Sequence, residues 1–287
     1  METRPLSPHL GVEILDLDVR EVDGETALDL GALLLRHGIL LLRDQDISAG
    51  EQVRFSHHFG ELECFPVQSG NGTVAAEEEY IFRVSNDSRK GYRGVGLYWH
   101  TDGYFHERPT AVSILRAVTV PPSGGDTSFA NMTAALEALP DDLREQVETL
   151  VGVSRPAPGA ERSGGLFARS SATGTRHPLV RLHPLTKEPV LYINVGNMAG
   201  IEGWERGEAL ALIERLADHV ENGDFTHRHR WQRGDMVIWD NAGVAHKASA
   251  PPQDSLRLME RTTVVGDEYF RNFFWTQAAV RACMGTL

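Results

Sequence analysis

The sequence predicts a mostly β protein, an antiparallel barrel or jelly roll with flanking helices. From residue 80 onward, short runs such as "YIFRVSN", "TAVSILRAVTV" and "DMVIWDN" are separated by Gly, Pro, Asn and Asp. Short strands divided by such turn residues are typical of sandwiches and barrels. With 287 residues, 41% of them hydrophobic, the chain can bury the core of such a fold. We therefore expect one domain over residues 1–287.

Residues 1–60 are predicted to form a lead-in of mixed α/β character. Residues 25–38 have the apolar spacing of a short helix that ends at a glycine, and "ILLLRD" follows as a buried strand. Ser48 and Glu51 have the spacing of a capping box at the start of a second helix. Nothing in this region indicates chemistry.

Two more helical segments interrupt the predicted strands. They cover residues 133–150, with Pro140 as a break or bend, and residues 205–222. We expect both to pack outside the sheets. Residues 154–178 show no periodicity and are rich in Gly, Ser, Pro and Arg, so we expect a mobile loop or an active-site lid there.

The composition restricts the classes of partner. The formal net charge is -12 and the acidic residues are scattered, which argues against a basic surface for nucleic acid or anionic membranes. No basic start with an apolar run resembles a signal peptide, and no run of about 18 apolar residues occurs, so we expect a cytoplasmic protein with a small-molecule substrate. The only cysteines, Cys64 and Cys283, are too few for a disulfide framework.

A possible metal site begins in "GLYWHTDGYF", residues 96–105. If this stretch is a strand, His100 and Asp102 point to the same face. The pair alone is weak support, because histidine and aspartate often satisfy one another by a hydrogen bond. His246 in "GDMVIWDNAGVAHKA" offers a third ligand. Two histidines and one carboxylate leave positions open for substrate and dioxygen, as in non-haem iron oxygenases.

Two arginines in "LRLMERTTVV", residues 256–265, suggest an anion site. Arg257 and Arg261 share one face of a predicted strand. If that face points into the barrel, both guanidinium groups need anionic partners, and a bound dicarboxylate would supply one. If it points to solvent, the two arginines need no ligand.

These residues resemble the taurine/dichlorophenoxyacetate dioxygenase (TauD/TfdA) family of iron(II)/2-oxoglutarate-dependent oxygenases over nearly the whole chain. The strongest pieces are "YWHTD", "PPSGGDTSFANM", "WDN" with a histidine five residues after the Asn, and an arginine eleven residues after that histidine. The resemblance implies a distorted double-stranded β-helix, a cupin-like jelly roll. It also implies Fe(II) on His100, Asp102 and His246, with O2 and 2-oxoglutarate as cosubstrates and the latter bound by Thr127 and Arg257.

The resemblance implies oxidation, most simply hydroxylation, of a C–H bond in a small anionic or zwitterionic metabolite. 2-Oxoglutarate and O2 would be converted to succinate and CO2. Related halogenases carry a small residue at the position of Asp102, so the carboxylate favours hydroxylation or desaturation. One alternative is an enzyme with the same cofactors that desaturates, decarboxylates or otherwise tailors an amino-acid-derived secondary metabolite. Two further alternatives are a metalloenzyme that does not use 2-oxoglutarate and a non-catalytic barrel that binds a metal or another ligand. Family members commonly form dimers or tetramers, so a homo-oligomer is expected.

The substrate pocket departs from the taurine pattern. Arg261 stands where taurine-type members bind the sulfonate, but "ECFPVQSG" places Phe65 and Gln68 where they use a histidine and a tyrosine. Asn197 stands where they have an aromatic residue, and Tyr104 lies just past the metal motif. We expect these residues to bind a substrate other than taurine.

Another pair of histidines is not expected to bind metal. His227 and His229 in "THRHRW" also stand two apart on a predicted strand. Because no carboxylate or third ligand follows nearby, we expect both to be structural.

Overall fold

The computed structural model of the chain describes residues 1–65, 76–155 and 174–284. The strands are β1 (Thr3–Pro5), β2 (Val12–Ile14), β3 (Ile39–Leu42), β4 (Phe82–Ser85), β5 (Val112–Thr119), β6 (Thr127–Asn131), β7 (Val151–Ser154), β8 (Thr175–Pro178), β9 (Val180–Leu182), β10 (Pro189–Leu191), β11 (Met198–Ile201), β12 (Thr226–His229), β13 (Met236–Asp240), β14 (Val244–Ala248) and β15 (Leu258–Val264). The α-helices are α1 (Gly24–His37), α2 (Ala49–Ser56), α3 (Met132–Glu137), α4 (Asp141–Glu148), α5 (Arg206–Asn222), α6 (Glu268–Arg271) and α7 (Phe273–Met284).

Two sheets form the body of a jelly roll. Within the described residues, the larger sheet has seven strands in the order β1-β2-β3-β13-β5-β15-β4, and the smaller has the order β12-β6-β14. Only β2 and β3 pair in parallel; the other pairs of the large sheet are antiparallel. The lead-in therefore supplies strands of the main sheet, and the predicted barrel or jelly-roll class is confirmed.

The large sheet is buried on both faces. Val237 and Trp239 of β13 point inward and join a core with Phe129 of the smaller sheet. Their neighbours Met236 and Ile238 point outward into a second core, which includes side chains of α1, α2 and α7. Burial on both faces explains why "MVIW" and "ILLL" read as continuous apolar runs and do not alternate with polar residues.

The helices follow their local signals. The capping box of Ser48 and Glu51 is present at the start of α2, and α1 ends at Gly38, whose φ is 72°. The helical segment around Pro140 is divided into α3 and α4, since proline has no N–H to continue a helix. Among the described helices, none has the length and apolar character needed to cross a membrane.

Two predictions of local structure need correction. Residues 96–105 are not a strand: only His100 forms a bridge, and turns follow it. Gly96 and Gly103, with φ of 71° and 66°, place the chain in the left-handed region, which interrupts an extended segment. The loop expected at 154–178 is shorter, because Ser154 ends β7 and Thr175–Pro178 forms β8. Its centre, 156–173, lies outside the described residues, and a single domain over 1–287 stays a prediction.

Candidate active site

A backbone bridge joins His100 to His246. Each amide donates to the carbonyl oxygen of the other residue, at 3.0 Å from His100 and 2.8 Å from His246. His246 lies in β14, which pairs with β6 and holds this residue opposite Phe129. Donor atoms of His100, Asp102 and His246 lie within 4.8 Å of one another, and all three residues are buried. The structure thus brings together the three side chains that the sequence singled out.

The ring of His100 is oriented by the backbone around it. Its Nδ1 lies 2.8 Å from the carbonyl oxygen of Tyr98, which can only accept, so Nδ1 carries the proton and Nε2 keeps a free lone pair. Gly96 packs against the ring, where a Cβ would lie 2.8 Å from Cε1 and 3.3 Å from Nε2 of His100. The glycine therefore leaves space beside the nitrogen that can bind a ligand.

The ring of His246 lies among aromatic rings. Centroid distances are 4.1 Å to His100, 4.7 Å to Trp239 and 6.1 Å to Phe129. Its Nδ1 is buried and has no hydrogen-bond partner among the residues that the structure describes. Burial is the largest cause that lowers the pKa of both His100 and His246. Both imidazoles are therefore neutral at pH 7, the form that coordinates metal ions.

Asp102 is the charged member of the cluster. Ser113 Oγ donates to its Oδ2 at 2.7 Å, and Arg261 Nη1 donates to its Oδ1 at 2.5 Å. Burial raises the pKa of Asp102, but Arg261, His246, His100 and Ser113 together lower this pKa well below its ordinary value. Two neutral imidazoles and one carboxylate fit a ferrous ion chemically, and this donor set leaves positions open for other ligands.

Arg257, which directly precedes β15, is a second buried cation. The residue is 5% exposed, and its Nε donates to the carbonyl oxygen of Gly125 at 3.0 Å. None of the ion pairs formed by the described residues includes its guanidinium, and burial lowers the pKa of Arg257 to about 10, with Asp126 acting in the opposite direction. Thr127 is buried as well, and its hydroxyl accepts from Trp231 Nε1 at 3.0 Å. A buried guanidinium without a carboxylate partner favours an anionic ligand.

The solvated-face alternative for the two arginines is wrong. The side chain of Arg261 is only 11% exposed, and Arg257 is buried further. The guanidinium carbon of Arg261 lies 4.8 Å from the ring centroid of Phe82, which in turn stacks on Tyr92 at 4.8 Å. Arg261 is therefore held between Asp102 on one side and an aromatic ring on the other.

An aromatic cavity of about 280 Å³ opens onto His100 and Asp102. Its lining includes five aromatic residues and two arginines, of which Arg93 is exposed and Arg261 is mostly buried: Phe65, Phe82, Tyr98, Tyr104, Phe105, Arg93 and Arg261. Of the residues expected near the substrate, Phe65 and Tyr104 line this cavity. Asn197 lies behind the wall, where its Nδ2 donates to the hydroxyl of Tyr98. Gln68 lies outside the described residues.

Sequence reasoning missed three residues that contact the cluster or its cavity. Phe82 underlies Arg261, while Ser113 and Asn241 hydrogen-bond Asp102. Ser113 is a lone hydroxyl in the apolar run "AVSILRA", and a polar residue in a buried strand was the available signal. Asn241 belongs to the "WDN" motif, but its partner Asp102 is distant in sequence.

The second histidine pair does not form a metal cluster. The sequence suggested no carboxylate close to these histidines, but Asp235 Oδ2 lies 2.9 Å from His229 Nε2. This carboxylate is hydrogen-bonded to His229. Nε2 of His227 is buried and has no hydrogen-bond partner within the described part of the chain, and burial is the largest cause that lowers the pKa of His227 to about 4. In the described ranges, only one group of histidine, cysteine or acidic side chains is close enough together to hold a metal ion. It consists of His100, Asp102 and His246.

The jelly roll and the buried His-Asp-His cluster together define a cupin-like, non-haem iron oxygenase. The sequence profile described as "Taurine catabolism dioxygenase TauD, TfdA family" matches residues 2–263. The chain belongs to this family. It is a non-haem iron(II)- and 2-oxoglutarate-dependent dioxygenase, with O2 as the second cosubstrate.

Known proteins resemble the chain over nearly its full length. It is 32% identical to an alpha-ketoglutarate-dependent 2,4-dichlorophenoxyacetate dioxygenase of Cupriavidus pinatubonensis, covering 92% of this chain and 97% of that protein. An alpha-ketoglutarate-dependent sulfate ester dioxygenase of Pseudomonas putida is 31% identical over 93% of this chain and 90% of its own. The crystal structure of a taurine dioxygenase from Burkholderia xenovorans superposes with a TM-score of 0.77, at 35% identity and 93% and 89% coverage. AAD-2 in complex with Mn(II) and N-oxalylglycine gives a TM-score of 0.76 at 28% identity, with 92% and 97% coverage.

Replacing Gly96 by alanine is expected to weaken metal binding by about 10-fold or more, because the new methyl group displaces the ring of His100. Gly94→Ala is the matched control, since Gly94 also has a positive φ, 64°, but a Cβ there meets nothing within 4 Å. Both variants carry the cost of an alanine in the left-handed region, about 1–2 kcal/mol, and only Gly96→Ala crowds the ligand. Calorimetric titration with Mn(II) compares them, and equal affinities would contradict this role of Gly96.

Proposed function

We propose that the chain hydroxylates a C–H bond of a small anionic molecule with an apolar body. In this proposal His100, Asp102 and His246 hold Fe(II), and Arg257 with Thr127 binds the distal carboxylate of 2-oxoglutarate. The observation that carries the proposal is the convergence of the three buried donors, which lie within 4.8 Å, at the end of a cavity that contains Arg261.

Cosubstrate and substrate are proposed to reach the iron from different sides. The cavity is lined by His100, Asp102 and Arg261, while Arg257 and Thr127 are not part of its lining. Arg257 lacks a partner carboxylate within the part of the chain that the structure describes, whereas Arg261 already contacts Asp102. This difference supports a division in which Arg257 binds the dicarboxylate and Arg261 faces the substrate.

The residues that line the cavity favour an anionic substrate over a zwitterionic one. Apart from Asp102, none of its described lining residues is a carboxylate that could pair with a substrate ammonium group. The aromatic rings of Phe65, Phe82 and Phe105 offer an apolar surface instead. Two relatives are named for anionic substrates, dichlorophenoxyacetate and sulfate esters, which supports an anion here as well.

The proposed reaction converts substrate, 2-oxoglutarate and O2 into hydroxylated substrate, succinate and CO2. Bound Fe(II) and 2-oxoglutarate supply the oxidising chemistry. The protein side chains bind and orient: Arg261 fixes the anionic end of the substrate, and the aromatic wall fixes which C–H bond faces the metal. The same wall excludes water from the reacting groups. A dimer or tetramer of the chain and a cytoplasmic location stay predictions.

Removal of Arg257 is expected to raise the half-saturating 2-oxoglutarate concentration roughly 10- to 100-fold, because a charge-assisted hydrogen-bond partner is lost. Metal binding should persist, since Arg257 does not contact the three donors. The readout is the visible charge-transfer band of an anaerobic mixture of protein, Fe(II) and 2-oxoglutarate. His246→Ala, in contrast, should lose the band. An unchanged 2-oxoglutarate requirement in Arg257→Ala would contradict its role, and an unchanged band in His246→Ala would contradict the metal assignment.

Substrate class is tested with a charged and a neutral probe of the same shape. Phenoxyacetate should stimulate release of succinate from 2-oxoglutarate more than phenoxyacetamide does, because only the acid can pair with Arg261. In Arg261→Ala the advantage of the acid should fall about 10-fold or more, while binding of 2-oxoglutarate is retained. The same preference for the acid in Arg261→Ala, or preference for the amide in wild type, would contradict the proposed anion site.

A further inference from the structure

Ser113 is a polar residue where the fold favours apolar ones. It lies in β5, paired with Trp239 of β13 and Thr263 of β15, and its exposed fraction is 0%. A buried hydroxyl is unfavourable unless it is hydrogen-bonded. Ser113 has two such bonds, one to Asp102 and one to Asn241. Its position is therefore explained by these partners and not by packing alone.

The hydrogen bonds around Asn241 run in one direction. Trp239 Nε1 can only donate, and it donates to Asn241 Oδ1 at 3.0 Å, which fixes the orientation of the amide. Oδ1 also accepts from the backbone N–H of Asp102 at 3.1 Å. Nδ2 must then face Ser113, and it donates to Ser113 Oγ at 3.0 Å. Because Ser113 Oγ is used as an acceptor, its one proton is available for Asp102 Oδ2 at 2.7 Å.

We propose that Ser113 and Asn241 are positioning residues that orient Asp102 for metal binding. Asn241 fixes the backbone of Asp102, and Ser113 fixes Oδ2, the oxygen that lies 3.9 Å from His246 Nε2. The carboxylate is therefore held in place by a chain of bonds that begins at the indole of Trp239. This inference rests on the proposed role of Asp102 as a metal ligand and goes beyond it, since neither positioning residue is one of the three proposed ligands.

The test is the affinity for Mn(II), a probe that does not depend on turnover, measured by calorimetry on the full chain. Ser113→Ala should bind Mn(II) roughly 10- to 100-fold more weakly, the loss typical for a residue that orients a metal ligand. Ser56→Ala is the matched control: Ser56 is also 0% exposed, and its hydroxyl contacts Thr262 at 2.6 Å, not Asp102. It should keep the wild-type affinity.

Asn241→Asp supplies an independent arm. The introduced carboxylate has nearly the same shape as the amide and can still accept from Trp239 and from the N–H of Asp102, but it cannot donate to Ser113. The hydroxyl of Ser113 would then divide its one proton between the introduced carboxylate and Asp102, so Mn(II) affinity should fall, but by less than in Ser113→Ala, where the bond is lost completely. Thermal unfolding of each metal-free variant establishes that it is folded. If Ser113→Ala does not fold, Asn241→Asp tests the proposal in its place.

The outcomes separate the two levels of the proposal. Wild-type affinity in Ser113→Ala or Asn241→Asp, together with loss of binding in Asp102→Ala, would overturn the positioning role and leave the metal site intact. Wild-type affinity in Asp102→Ala would overturn the metal site itself. Weak binding in both positioning variants with a normal Ser56→Ala is the expected result.

Discussion

The active site depends on two backbone hydrogen bonds between His100 and His246, which join a loop to β14 of the smaller sheet. The loop is held on both sides of this bridge. Ala248 donates to the carbonyl oxygen of Gly96, and the N–H of Thr101 donates to Asn194. A single bridge lets the turn after His100 bring Asp102 back toward the same point, so that three donors from two distant segments converge.

Buried charge divides the site into two regions. Arg261 lies against Asp102 and faces an aromatic cavity, whereas Arg257 is buried without a carboxylate partner among the described residues. Both cations are costly to bury, and each is compensated differently. Arg261 pairs with Asp102 through Nη1 and lowers the pKa of that carboxyl group, but its Nε has no hydrogen-bond partner among the described residues, while Arg257 is available to an anionic cosubstrate. The two arginines therefore differ in the anions they can bind because their surroundings differ.

Much of this could be predicted from sequence, because local patterns have local causes. The spacing of "HTD" and the position of His246 identified the donors, and the pattern of "LRLMERTTVV" singled out two arginines whose side chains have little exposure to solvent. The strand expected at 96–105 was wrong because positive-φ glycines interrupt it. Ser113 and Asn241 could not be assigned, since their shared partner Asp102 is distant along the chain. Such contacts depend on how the turn that contains Asp102 folds onto β5 and onto the turn after β13, which local sequence patterns do not reveal.

The most direct test is a crystal structure of the chain grown anaerobically with Mn(II) and 2-oxoglutarate, with diffraction recorded at the manganese absorption edge. We expect one anomalous peak within coordination distance of His100, Asp102 and His246, with the distal carboxylate of 2-oxoglutarate on Arg257. A peak at another position, or that carboxylate bound to Arg261, would contradict this expectation.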